Sequence, residues 1–157
     1  MDILLWRHAE ALDGSPDHAR ALSPHGEEQA GKVALWLRAR APENLRLLVS
    51  PAIRTRQTAA FFQDQDQNQD KVETCAALYS GTKSDVLSII EAARTPLLFV
   101  GHQPLLGKLA ARLAEEEAAL PERFRKGALW WLRGKPGKHT MKLWQTVDAD
   151  ALPAEPR

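Results

Sequence analysis

Two short apolar runs, ILLW at residues 3–6 and LLFV at 97–100, each break off at a histidine: Arg7-His8 after the first, Gly101-His102 after the second. Runs of this length bounded by polar or turn residues predict strands with both faces buried. A third run, RLLV at 46–49, ends at Ser50-Pro51. Strands apolar on both faces belong in a parallel sheet covered by helices, because an exposed face would alternate with polar residues. That requirement restricts the chain more tightly than any other feature.

The segments between the strands supply the helices. Residues 24–40 carry Ala30, Val33, Ala34 and Leu37 at helical spacing, with Ser23 as N-cap and Pro24 at the first helical position. Residues 51–62 predict a second helix capped by Ser50, and 72–76 a weak strand. Residues 85–94 predict a helix with Val86, Ile89, Ile90 and Ala93 on one face. A further helix starts at Pro104 and buries Leu106, Leu109, Ala110 and Leu113. The polar stretch QDQDQNQDK, 63–71, predicts a solvated loop. Two strands flank the turn GKPGK at 134–138, with Trp130, Trp131 and Trp144 as core and edge-strand packing. The expected fold is α/β: a three-layer αβα domain with a mostly parallel central sheet and antiparallel C-terminal edge strands. One domain spans 1–157, with 150–157 as a frayed tail.

Net charge is +1 and no basic block occurs, so nucleic acid and anionic membranes are not expected partners. No apolar run approaches 18 residues. The single cysteine, Cys75, reads as a small core residue and cannot form an internal disulfide, which predicts a cytoplasmic location.

In sheets of this kind ligands sit beyond the carboxyl ends of the strands. Arg7-His8, SPAIRTRQT at 50–58 and Gly101-His102 all fall there. Guanidinium forks match the oxygens of a phosphoryl group, and the start of the helix after Ser50 adds N–H groups, so the coincidence predicts an anion site. Of the two arginines on that helix, Arg54 lies in the first turn and reaches toward the strand end. Arg56 is about 200° further round and faces solvent. The histidines, His8, His18, His25, His102 and His139, show no metal-ligand spacing, so no metal and no cofactor are expected. His25 is expected to be exposed. Ser50 lacks a G-x-S-x-G elbow, and there is no Walker A or G-x-G-x-x-G motif.

RHAE at 7–10, SPAIRTRQT at 50–58 and GHQP at 101–104 resemble the motifs of the histidine phosphatase (phosphoglycerate mutase-like) superfamily. Short length and ARALSPHGEEQA at 19–30 look most like its SixA-type phosphohistidine phosphatase branch. The resemblance implies a metal-independent phosphatase in which His8 is the nucleophile and forms a covalent phosphohistidine. It implies that Arg7, Arg54 and His102 hold the phosphoryl group, with Arg20 reaching it as well. The implied substrate is a phosphohistidine protein, such as a histidine phosphotransfer domain. Two alternatives stay open: a small-molecule phosphomonoesterase or phosphoglycerate mutase-like enzyme, and a non-catalytic phospho-binding module.

A nucleophilic imidazole must be neutral, with its other nitrogen donating to a carbonyl. The neighbouring cations are expected to depress the His8 pKa, while His102 becomes cationic when phosphate is present. Ester-cleaving members usually carry an acid after the third strand, but this chain has Tyr79 and Ser80 there, with Glu73 and Asp85 the nearest carboxylates. An alkoxide leaving group needs a proton donor. A ring-protonated phosphohistidine leaves as neutral imidazole, whose conjugate acid has a pKa of about 6.5, and needs none. The missing acid favours an N–P substrate, in a pocket expected to be shallow and open.

Overall fold

A computed structural model describes residues 1–63 and 72–153. Six strands, β1 (Asp2–Arg7), β2 (Arg46–Val49), β3 (Val72–Thr74), β4 (Leu97–Gly101), β5 (Leu129–Gly134) and β6 (Met141–Val147), form one sheet in the order β3-β2-β4-β1-β5-β6. The first four are parallel, and β5 and β6 are antiparallel to their neighbours. Five helices surround the sheet: α1 (Pro24–Arg38), α2 (Ile53–Gln63), α3 (Ala77–Ser80), α4 (Lys83–Ala92) and α5 (Leu105–Leu113).

Period-two alternation divides each central strand between two cores. Leu4, Trp6, Leu47, Val49, Leu98 and Val100 pack against Val33, Ala34 and Leu37 of α1 and Ala59 and Phe62 of α2. Ile3, Leu5, Leu48, Leu97 and Phe99 pack on the opposite face against Leu78, Val86, Ile90 and the Leu106–Leu109–Leu113 stripe of α3, α4 and α5. The three-layer αβα architecture with a mostly parallel sheet follows from both faces being apolar.

Element ends differ from expectation where capping decides them. Ser23 accepts the Gly26 N–H at 3.0 Å as expected, and α1 stops at Arg38. Ser50 accepts the Ala52 N–H at 3.3 Å, but regular helix begins only at Ile53. α4 starts at Lys83, two residues before the expected Asp85, because Thr82 and Asp85 form a reciprocal capping box. α3, a single turn, was not expected, since four residues show too little periodicity to read. The expected loop at 63–71 lies, beyond Gln63 at the end of α2, outside the described residues. The chain stays packed further than 150: the 3-10 turn Ala149–Ala151 buries Ala149, and Asp150 accepts from Gln29 at 3.1 Å and pairs with exposed His25 at 3.0 Å. Trp130 and Trp131 are buried, while Trp144 on the edge strand is 45% exposed. No helix among the described residues is long and apolar enough to cross a membrane.

Phe99→Ala, emptying a fully buried site in the central strand β4, should cost about 3–5 kcal/mol in urea unfolding. Trp144→Ala should cost clearly less, and equal losses would contradict the placement of the core.

Candidate active site

β4 lies between β1 and β2, so the ends of all three strands are neighbours. Arg7 pairs in register with Gly101, and Val49 with Val100. The ladder extends one step past the strands: the His8 N–H donates to the Gly101 carbonyl at 3.0 Å, and the Ser50 N–H to the Val100 carbonyl at 3.1 Å. Arg7-His8, Ser50 and His102 therefore emerge side by side at one sheet edge, and Arg54 follows in the first turn of α2.

The loop after β1 is fixed through its backbone. The Ala9 N–H donates to Thr58 Oγ1 at 3.1 Å and the Glu10 N–H to Gln29 Oε1 at 2.9 Å. The Ser23 N–H and hydroxyl both reach back to Glu10. Gly26 allows this approach, because a Cβ there would sit 1.9 Å from the Glu10 carbonyl oxygen.

His8 Nδ1 lies 2.7 Å from the Ala9 carbonyl oxygen. A carbonyl only accepts, so Nδ1 carries the proton and the neutral ring keeps its lone pair on Nε2. His8 is 6% exposed, and its pKa falls to about 3. Burial is the largest cause; His102, Arg54 and Arg7 add charge repulsion, and the bond to Ala9 opposes. The direction matches the sequence expectation, but desolvation leads rather than the cations. His102 faces His8 with ring centroids 5.3 Å apart, and its pKa falls to about 4, again chiefly through burial and then Arg54, with Asp17 opposing. His102 Nε2 lies 2.7 Å from Ser50 Oγ. The hydroxyl already accepts from Ala52, so its own proton is available to Nε2. In that arrangement His102 Nδ1 bears the ring proton.

Arg54 is 6% exposed. Its Nη1 donates to the Asp17 carbonyl at 2.9 Å and its Nη2 to the Asp17 carboxylate at 3.1 Å. Arg7 Nη1 donates to the Phe124 carbonyl at 2.7 Å, and burial lowers its pKa. Arg7 Nε, Arg54 Nε and His102 Nδ1 are buried without a hydrogen-bond partner among the described residues. Buried donors are rarely left unpaired, and all three belong to residues read from the sequence as an anion site.

Arg20 is placed differently. Its Nε donates to the Leu12 carbonyl at 2.9 Å and its Nη1 to Asp17 at 3.2 Å, so it meets Arg54 through a shared carboxylate. Glu73 pairs with Arg46 at 2.7 Å, and Asp85 caps α4; neither bonds to this site. Arg56 is exposed, as expected. Sequence reasoning missed Asp17, which accepts from Arg54, Arg20 and, at 2.8 Å, from the Tyr79 hydroxyl. Its three-residue spacing from Arg20 was the available signal. Tyr79 also lays its ring edge-on to His102, with centroids 5.5 Å apart. No group of three or more His, Cys, Asp or Glu among the described residues is arranged to hold a metal.

Residues 3–79 match the family model for the histidine phosphatase superfamily (branch 1). The chain is 37% identical to an uncharacterized protein of Mycobacterium tuberculosis strain H37Rv over 74% of this chain and 77% of that protein. It is 30% identical to the phosphohistidine phosphatase SixA of Escherichia coli K12, over 74% and 76% respectively. Among solved structures, a protein histidine phosphatase SixA complexed with tungstate superposes with a TM-score of 0.82 at 25% identity, covering 96% of this chain and 98% of that one.

Folded His8 and His102 stay neutral down to about pH 3 and 4, whereas unfolded histidine titrates near 6.5. Between those values the unfolded chain binds more protons, so stability falls with pH, by up to about 1.4 kcal/mol per unit for each ring. Urea midpoints at pH 7, 6 and 5 should decrease in that order, and His8→Asn should flatten the slope. An unchanged slope would place the uptake elsewhere.

Proposed function

The chain belongs to the histidine phosphatase superfamily, and we propose that it hydrolyses phosphohistidine on a protein through a covalent phosphohistidine on its own His8. Membership establishes a phosphatase-type hydrolase; the substrate and the residue roles are our reading. The observation that carries it is the set of three buried donors without a partner among the described residues, Arg7 Nε, Arg54 Nε and His102 Nδ1, around a histidine whose Nε2 is left with a lone pair.

The chemistry needs little beyond positioning and charge. His8 Nε2 attacks phosphorus, and the bond to the leaving nitrogen breaks with its electron pair going to that nitrogen. The departing ring, already protonated on its other nitrogen, becomes neutral imidazole. Phospho-His8 then carries a positive ring, which the Nδ1–H bond to Ala9 helps to stabilise. Water attacks phosphorus, the P–N bond breaks, His8 regains its lone pair, and both water protons leave with the phosphate. Arg7, Arg54 and His102 donate to the phosphoryl oxygens throughout, and His102 gains a proton more readily once that dianion is present.

Tyr79 beside His102 and Asp17 beside Arg54 are well exposed, which suits a side chain presented on a folded partner such as a histidine phosphotransfer domain. A reducing, cytoplasmic setting belongs to the same reading, since Cys75 is a free, buried thiol. So does one domain over 1–157.

His8→Ala should abolish both turnover and acid-labile labelling by a radioactive phosphodonor. Arg54→Ala should lower kcat/KM by about 10²- to 10³-fold, the effect of losing one preorganised donor. Steady turnover by His8→Ala, or faster hydrolysis of sugar phosphates than of a phosphohistidine protein by the wild type, would contradict the assignment.

A further inference from the structure

We propose that Asp17 determines the choice of leaving group, its carboxylate holding the protonated ring nitrogen of an N-phosphorylated imidazole at the pocket mouth while His8 takes the phosphoryl group. This rests on the phosphohistidine reading and adds a specificity-determining residue to it.

Among the described residues, Asp17 is the carboxylate bonded to any of Arg7, His8, Arg54 and His102. Three donors from three segments fix it: Arg54 of α2 at 3.1 Å, Arg20 of the loop after β1 at 3.2 Å, and Tyr79 of α3 at 2.8 Å. A carboxylate offers about four lone-pair positions, so one remains, and the side chain is half exposed. It stands on the Tyr79 side of His102, against which the Tyr79 ring packs.

The charge state restricts what Asp17 can do. Its pKa drops to about 2, the Tyr79 bond contributing most and Arg20 and Arg54 adding to it. At neutral pH it has no proton to give. Tyr79 fails from the other direction: its hydroxyl proton is already donated to Asp17, and that bond raises its pKa above the ordinary value of 10.0. Neither group offers a free acidic proton at neutral pH: Asp17 is ionised, and the Tyr79 proton lies in its bond to Asp17. A permanent anion there does suit a leaving group that arrives carrying its own proton. As the P–N bond breaks, its electron pair passes to the departing nitrogen and the ring keeps the proton facing Asp17, so no proton crosses between protein and substrate.

The carboxylate also favours the protonated ring before reaction, because an opposite charge a few ångströms away raises the ring's pKa. The charged and titratable groups facing Asp17 are Arg54, Arg20, Tyr79 and His102, and Asp17→Asn leaves all of them in place.

The test compares phosphoimidazole with phenyl phosphate, an aryl ester of similar size without a ring N–H, on wild type and Asp17→Asn between pH 6 and 9. The ratio of kcat/KM values should fall about tenfold in Asp17→Asn, as expected for one lost charge-assisted hydrogen bond. The alkaline limb of the phosphoimidazole profile should move to lower pH, and Asp17→Glu, which keeps the charge, should restore part of both. Equal losses on the two substrates with an unmoved limb would overturn the inference, reducing Asp17 to a support for Arg54. A wild type that does not hydrolyse phosphoimidazole would overturn the phosphohistidine reading and, with it, this inference.

Discussion

The in-register parallel pairing of β1 and β2 with the strand between them, β4, is the constraint on which the site depends. Arg7 opposite Gly101 and Val49 opposite Val100 bring three distant stretches of chain to one edge. The His8 and Ser50 N–H groups continue the ladder beyond the strands proper, so the site backbone is set by the same hydrogen bonds as the sheet. A one-residue slip of β4 would turn Phe99 and Val100 to the wrong cores as well as moving His102. Packing on both faces thereby fixes the position of a polar group that belongs to neither apolar core.

Within that frame, burial and charge divide the work. Desolvation is the largest cause of the depressed pKa of both histidines, keeping both rings neutral. The two buried arginines are held by different partners. Arg7 is tied to the Phe124 carbonyl and Arg54 to Asp17, and each retains a buried N–H without a partner among the described residues. Unpaired buried donors disfavour the folded state, and any anion that accepted from them would recover that loss.

Much of this was legible in the residues. The two-sided strands at 3–6, 46–49 and 97–100 determined the sheet class, and the three polar clusters that follow them were readable as neighbours at the strand ends. The choice of Arg54 over Arg56 followed from helical phase alone, and the Ser23 cap from its position before Pro24. Such features are local: a periodicity, a cap or a strand terminus is encoded within a few residues. Boundaries were less legible where side chains compete for backbone groups, as Asp85 and Thr82 do at the start of α4.

What the sequence could not determine was convergence. Asp17 and Arg20 lie three residues apart, but Arg54 and Tyr79 come from separate segments with no pattern pointing at them, and only the folded sheet and its helices place one carboxylate within reach of all three donors. The cause of the His8 shift was hidden for the same reason, since desolvation is a property of the surrounding volume and not of neighbours in the chain. The sequence by itself determined which strands exist and which residues stand at their ends. Tertiary structure alone decided which of the chain's carboxylates meets Arg54, because that choice depends on distances across the fold that no local preference records.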